Sequence, residues 1–81
     1  MKIPRDIGGR ELARLLGLFG YFVSRQTGSH IRLTKKGESD HHVTIPDHRC
    51  LRVGTLNNII KDIAAHLGKT REEVIEAILG E

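Results

Sequence analysis

The stretch Arg25-Gln26-Thr27-Gly28-Ser29-His30 puts a histidine directly after a Gly-Ser pair, with Arg25 before it and Arg32 two residues beyond. An imidazole exchanges its proton at about pH 6.5, so it serves as base or acid near neutrality. Guanidinium groups beside it offer forked N–H donors that fit a phosphate. These types suit proton transfer next to a phosphodiester, above all in RNA, whose own 2′-hydroxyl attacks the adjacent phosphorus once deprotonated. On residue types alone, however, a histidine at an exposed strand end is the commoner case, because polar residues populate surfaces.

The elements that must position these groups are legible in the patterning. In the stretch GGRELARLLGLFG, Leu12, Leu15, Leu16 and Phe19 fall on one helical stripe, and Gly20 is placed to stop it. Three strands are expected next, over YFVSRQ, HIRLTKK and HHVTIP, the last ended by Pro46. In the second, Ile31 and Leu33 share one face while His30, Arg32 and Thr34 share the other. Thr27-Gly28-Ser29 reads as a tight hairpin turn and KKGESD as a second, polar one. Two helices complete the chain. The first carries Leu56, Ile59, Ile60, Ile63 and Leu67, with Gly54 or Thr55 as its N-cap and Gly68 as its stop. The second opens with a capping box, Thr70 with Glu73, ahead of Val74, Ile75 and Ile78. The expectation is an α+β fold, α-β-β-β-α with an additional C-terminal helix. Its three-stranded antiparallel sheet has helices on one face, the layout of a double-stranded-RNA-binding domain.

At 81 residues the chain fits one domain with a modest core, so any site is a shallow surface. Residues 1–52 hold ten Lys/Arg against five Asp/Glu, a balance of +5, whereas residues 53–81 hold three against five, a balance of −2. A positive front part suits a polyanion or an acidic partner. No apolar run is long enough to span a bilayer, and MKIPRDIGG lacks the apolar core of a signal peptide, so a cytoplasmic location is expected. The single Cys50 is read as a packed or incidental thiol and excludes an internal disulfide.

Metal chemistry finds no support in the spacing. His41 and His42 are strand neighbours and point to opposite faces; there is no His-x3-His or Cys-x2-Cys pair and no carboxylate pair spaced for a facial site. No metal or other cofactor is expected. Whichever of His41 and His42 faces His30 across the sheet is a second site candidate.

The blocks GYFVSRQTGSH, VTIPDH and LRVGTLNNIIKDI resemble, in order and spacing, the HicA (YcfA-like) toxins of toxin–antitoxin pairs, over about residues 10 to 79. That family's run is Gly-aromatic, Arg-Gln-x-Gly-Ser-His, a strand ending Pro-x-His, then Gly-Thr-Leu and an apolar helix. The resemblance implies a double-stranded-RNA-binding-like fold and a metal-independent mRNA endoribonuclease held inactive by a HicB-like antitoxin. It also implies that His30 is catalytic, which reverses the reading from residue types alone. Arg25, Arg32, Lys35 and Lys36 are offered as phosphate-binding groups, with Gln26 and Ser29 of the same block among the RNA contacts. His42 and His48 are possible further site residues, although a structural hydrogen bond explains His48 equally well. Departures are Tyr21 for a commoner Phe, Thr27 for a commoner Lys, and the adjacent histidine pair.

Two other readings compete. Residues 56–79 fit a helix-turn-helix template for DNA, but the second helix carries Glu72, Glu73 and Glu76 with only Arg71 positive, a face phosphates would repel. A non-catalytic RNA-binding module explains charge and fold yet leaves His30 without a role. Aromatic residues are few, and Phe22 is read either as one stacking ring on the open face or as part of the core.

Overall fold

Residues that alternate in the sequence alternate in space. In the computed structural model, which describes residues 6–80, Ile31, Leu33, Val43 and Ile45 point to one side of the sheet and are buried, while their neighbours point to the other side. The element order is α1 (Gly9–Leu15), a 3-10 turn (Leu16–Phe19), β1 (Phe22–Thr27), β2 (His30–Lys35), β3 (His41–Pro46), α2 (Val53–Leu67) and α3 (Arg71–Leu79). The strands form an antiparallel meander, β1-β2-β3, as the short connections require. Among the described residues helices cover one face only, giving the expected α+β, double-stranded-RNA-binding-like arrangement. The N-terminal stretch read for a leader lies partly outside the described residues.

The core closes between this sheet face and the helix stripes. Leu12 and Leu16 come from the first helix, Leu56, Ile59, Ile60 and Ile63 from α2, and Val74, Ile75 and Ile78 from α3. The first helix is not uniform. It tightens to 3-10 geometry at Leu16, which leaves Leu15 and Phe19 at the core margin and buries Ala13 instead. α2 begins earlier than expected. Arg52, not Gly54 or Thr55, is the N-cap, because its carbonyl accepts the first helical bond, from Leu56 N–H at 2.9 Å, without any capping side chain. The Thr70–Glu73 capping box forms with both of its bonds.

Two glycines decide how the first helix and the hairpin sit. A Cβ on Gly9 would lie 2.0 Å from the Pro46 carbonyl oxygen, so only glycine lets the start of α1 rest on the end of β3. Gly9 N–H then donates to the His48 carbonyl at 2.9 Å. Gly28, at φ 54°, is the first of two loop residues between the paired Thr27 and His30; Ser29 keeps a negative φ. That sign pattern belongs to a type II′ turn, whose twist matches the flanking strands.

On the helix side, Tyr21, His41, Asp62 and His66 join β3 to α2. The Tyr21 hydroxyl lies 2.6 Å from His41 Nδ1, His41 Nε2 lies 3.3 Å from Asp62 Oδ1, and the two imidazoles stack at 4.2 Å. Burial, helped by the negative charge of Asp62, pushes the Tyr21 phenol up to about 12.

Candidate functional site

The face of the sheet turned away from the helices carries the candidate chemistry. His30 opens β2, pairs with Thr27 across the hairpin and with Pro46 of β3, and is exposed. Arg32, two residues along, projects from the same face, about 7 Å away by strand geometry. Directly opposite Arg32 stands Arg25. Further along, Thr34 lies between Phe22 of β1 and His42 of β3. A depression of about 300 Å³ forms there, lined by Phe22, Ser24, Arg25, Arg32, Thr34, Lys36 and His42, with no acidic residue in its lining.

The turn that carries His30 is clamped from outside the hairpin. Asp47 N–H donates to the Ser29 carbonyl at 2.7 Å. The Asp47 carboxylate receives Arg10 of α1 through both Nε and a terminal nitrogen, at 3.1–3.2 Å, and Gln26 Nε2 at 3.3 Å. That bond, and then the charge of Asp47, draw the already high Arg10 pKa up further. Side chains from α1 and β1 thus converge on one carboxylate beside the Gly28–Ser29 turn, and Gln26 is held by it.

The remaining candidates divide. Lys36 stays on the open side but is bonded to Asp40 at 3.0 Å, which in turn holds the Asp40 carboxyl below its usual range. Lys35 does not join the group: its ammonium donates to the Phe19 carbonyl at the end of the 3-10 turn, on the helix side. His42 faces Thr34 rather than His30, four residues along β3 from Pro46, or about 13 Å. That span is too long for both imidazoles to act on one phosphodiester. His41 points the other way, as neighbouring strand residues must, so the adjacent pair shares no ion. His48 lies two residues past the rung partner of His30, exposed, with its carbonyl holding α1. Phe22 is 47% exposed, which removes it from the core. Cys50 is exposed as well and so is not a packed thiol.

The residues missed from sequence are Ser24, Thr34, Arg10 and Asp47. Ser24 sits at an irregularity of β1 between Val23 and Arg25, and it bonds Thr34 Oγ1 at 2.7 Å; Thr34 Oγ1 bonds His42 Nδ1 at 2.9 Å. Bulges leave no sequence signature here, and a lone threonine on a wet face signals nothing. Asp47 had one available signal, its place between Pro46 and His48 in the strand-ending block.

A family model described as the HicA toxin of bacterial toxin-antitoxin systems matches residues 9–64, from the first residue of α1 to the last turn of α2. The chain belongs to the HicA toxin family. Membership makes it the toxin member of a toxin–antitoxin partnership, so an antitoxin is its partner. No curated protein and no solved structure gives a significant match. The matched span contains the Gly28–His30 turn, the open face and the Asp47 clamp, and leaves α3 outside. On α3 of this HicA-family chain, Glu72, Glu73 and Glu76 are exposed, while Arg71 is engaged by Asn57 and Glu72. Backbone and side-chain hydrogen bonds at its first turn keep Glu72 and Glu73 below the usual carboxyl range, hence charged. A DNA-reading helix needs the opposite sign. Among the described residues, no helix is long and apolar enough to cross a membrane, and no group of His, Cys, Asp or Glu is arranged to hold a metal ion.

Proposed function

We propose that this HicA-family chain is a metal-independent endoribonuclease that cuts mRNA and so blocks translation in the cytoplasm, with a HicB-like protein as its antitoxin. The observation that carries the reading is the placement of His30: exposed, fixed between Thr27 and Pro46, and followed on the same face by the opposed Arg32 and Arg25. His30 takes the proton of a ribose 2′-hydroxyl, whose oxygen attacks the adjacent phosphorus. The P–O5′ bond breaks, a 2′,3′-cyclic phosphate forms, and the 5′ oxygen leaves with a proton drawn from water. Arg25 and Arg32 hold the phosphate backbone, Ser29 lies beside it, and Lys36 sits at the far rim; Gln26, opposite the inward-facing Ile31 and bonded to Asp47, is a positioning residue rather than an RNA contact. Lys35 is not part of this surface. An acidic face on the antitoxin would occupy the same cations and exclude RNA.

One assay tests this: end-analysed cleavage of a labelled RNA and its DNA counterpart, with and without EDTA. RNA cleavage that persists in EDTA and leaves cyclic or 3′-phosphate ends supports the reading, as does inertness of the DNA. Metal-dependent cutting that leaves 5′-phosphates refutes it. His30→Ala should abolish cleavage with melting unchanged within error, since an exposed strand-end side chain contributes little to stability. Cleavage by the folded variant at a comparable rate removes His30 from the mechanism. RNA binding by the parent without any cleavage would favour the non-catalytic module.

A further inference from the structure

We propose that the depression around Thr34 is a separate nucleotide subsite, holding the residue one to two steps along the RNA from the linkage at His30. The proposal deepens the reading above and rests on it for the identity of the polymer. Three independent features meet there. First, Arg25 and Arg32 stand directly opposite each other, and no acidic residue lines the depression. Like charges in that relation repel, and an anion between them removes the repulsion. A phosphate fits the two guanidinium forks. Second, Phe22 begins β1 on the same face, with half of its surface open, next to this cation pair. An exposed ring beside phosphate-binding arginines is the combination on which single-stranded bases stack.

Third, the irregularity at Ser24 builds a directed hydrogen-bond chain. The Ser24 hydroxyl donates to the Arg32 carbonyl at 3.3 Å, an acceptor that cannot reciprocate. Thr34 Oγ1–H therefore donates to Ser24 Oγ, and Thr34 Oγ1 accepts from His42 Nδ1–H. The neutral imidazole is left with Nε2 as a free acceptor on the open face. Thr34 is 3% exposed, buried on a face that is otherwise wet, so the chain is rigid at its centre. A phosphate clamp, a stacking ring and an oriented acceptor together describe one nucleotide. The distance separates it from catalysis: Thr34 lies four residues from His30 on β2, about 13 Å, beyond the reach of the linkage being cut.

The test measures binding rather than turnover. The full chain carrying His30→Ala is titrated with a labelled dinucleotide and a labelled pentanucleotide RNA, and Phe22→Ala and His42→Ala are then added singly to it. The pentanucleotide should bind more tightly than the dinucleotide. Phe22→Ala should weaken pentanucleotide binding by about five- to 150-fold, the range of one lost base–aromatic stack, and should collapse the long-to-short affinity ratio towards one. His42→Ala should shift the ratio in the same direction. Melting curves confirm folding, which both positions tolerate because both side chains are exposed. Thr34→Val, which severs the chain beneath His42, gives a second variant that should reproduce the His42 effect. A ratio unchanged in the folded Phe22 and His42 variants overturns the subsite, even if the wild type cuts RNA. A ratio that collapses while the wild type cuts nothing upholds the subsite and overturns the His30 reaction. No length dependence in the parent overturns the subsite as well.

Discussion

The opposed arginines give a stability prediction that needs no RNA. Arg25 and Arg32 are cross-strand partners, and among the described residues neither is engaged in a salt bridge. Directly opposite Cβ atoms lie about 5 Å apart, which allows guanidinium groups roughly 6 Å apart. At that distance two unit charges in water repel by about 0.7 kcal/mol, reduced to about 0.4 kcal/mol at 0.1 M salt. Arg25→Gln should therefore stabilise the free protein. For a domain of this size the gain is about 2–6 °C in Tm, largest near 0.01 M ionic strength and lost towards 1 M, where the screening length falls to about 3 Å. Arg25→Lys keeps the charge and should show no such gain. The same Arg25→Gln variant should bind RNA less tightly and with a salt slope shallower by about one phosphate contact. Thermal melts across a salt series, paired with anisotropy titrations, read both effects. If Arg25→Gln melts no higher than wild type at low salt, the pair is not repulsive, and the case for an anion between the arginines loses its physical basis.

The other predictions concern the framework. Asp47→Ala frees Arg10 and Gln26 beside the turn while keeping the main-chain bond to Ser29, so kcat should fall by about tenfold or more with a smaller change in KM; an unchanged kcat would show that the Asp47 carboxylate positions nothing. Gly9→Ala forces a methyl against the Pro46 carbonyl and should destabilise by about 1–3 kcal/mol or more, read by urea denaturation; a neutral result would contradict the close approach of α1 to β3. The phenol of Tyr21, pushed up to about 12, stays neutral in the folded chain while the unfolded chain ionises it from about pH 10 upwards. The stability this lends is present below pH 10 and is lost as pH rises towards 12, roughly 2 kcal/mol in total. Tyr21→Phe should flatten that alkaline slope relative to wild type; parallel slopes would refute the burial argument.

What the sequence revealed and what it hid follow from the range of the interactions involved. Alternation of Ile31 and Leu33 with His30, Arg32 and Thr34 is local, and it gave both the strand and the correct faces. The Gly28–Ser29 turn and the Thr70–Glu73 box are equally local and came through intact. The start of α2 did not, because Arg52 caps it with a carbonyl, which every residue possesses. Lys35 was assigned to the phosphate surface by its charge, yet strand parity sends it to the helix side, where a free main-chain carbonyl awaits it. Its neighbour Lys36 illustrates how little charge alone decides. Asp47, Arg10 and Gln26 come from three elements, and the irregularity at Ser24 exists only when β1 meets β2. No local pattern encodes such meetings.

The division of labour between the two faces has a chemical consequence. Among the described residues, α1, α2 and α3 all cover one side of the three-stranded sheet, and no helix or strand covers the other. An enclosed, dry pocket is therefore out of reach, and with it the strong electrostatic preorganisation that such pockets supply. A reaction suited to an open face is one whose nucleophile arrives within the substrate, so that the protein adds only a base, a phosphate clamp and position. Cleavage through the 2′-hydroxyl meets that requirement. On the proposed reading, affinity for RNA comes from length along the strand rather than from depth, and a cation pair, an exposed Phe22 and an oriented His42 in register with one another would then matter more than any single contact at His30.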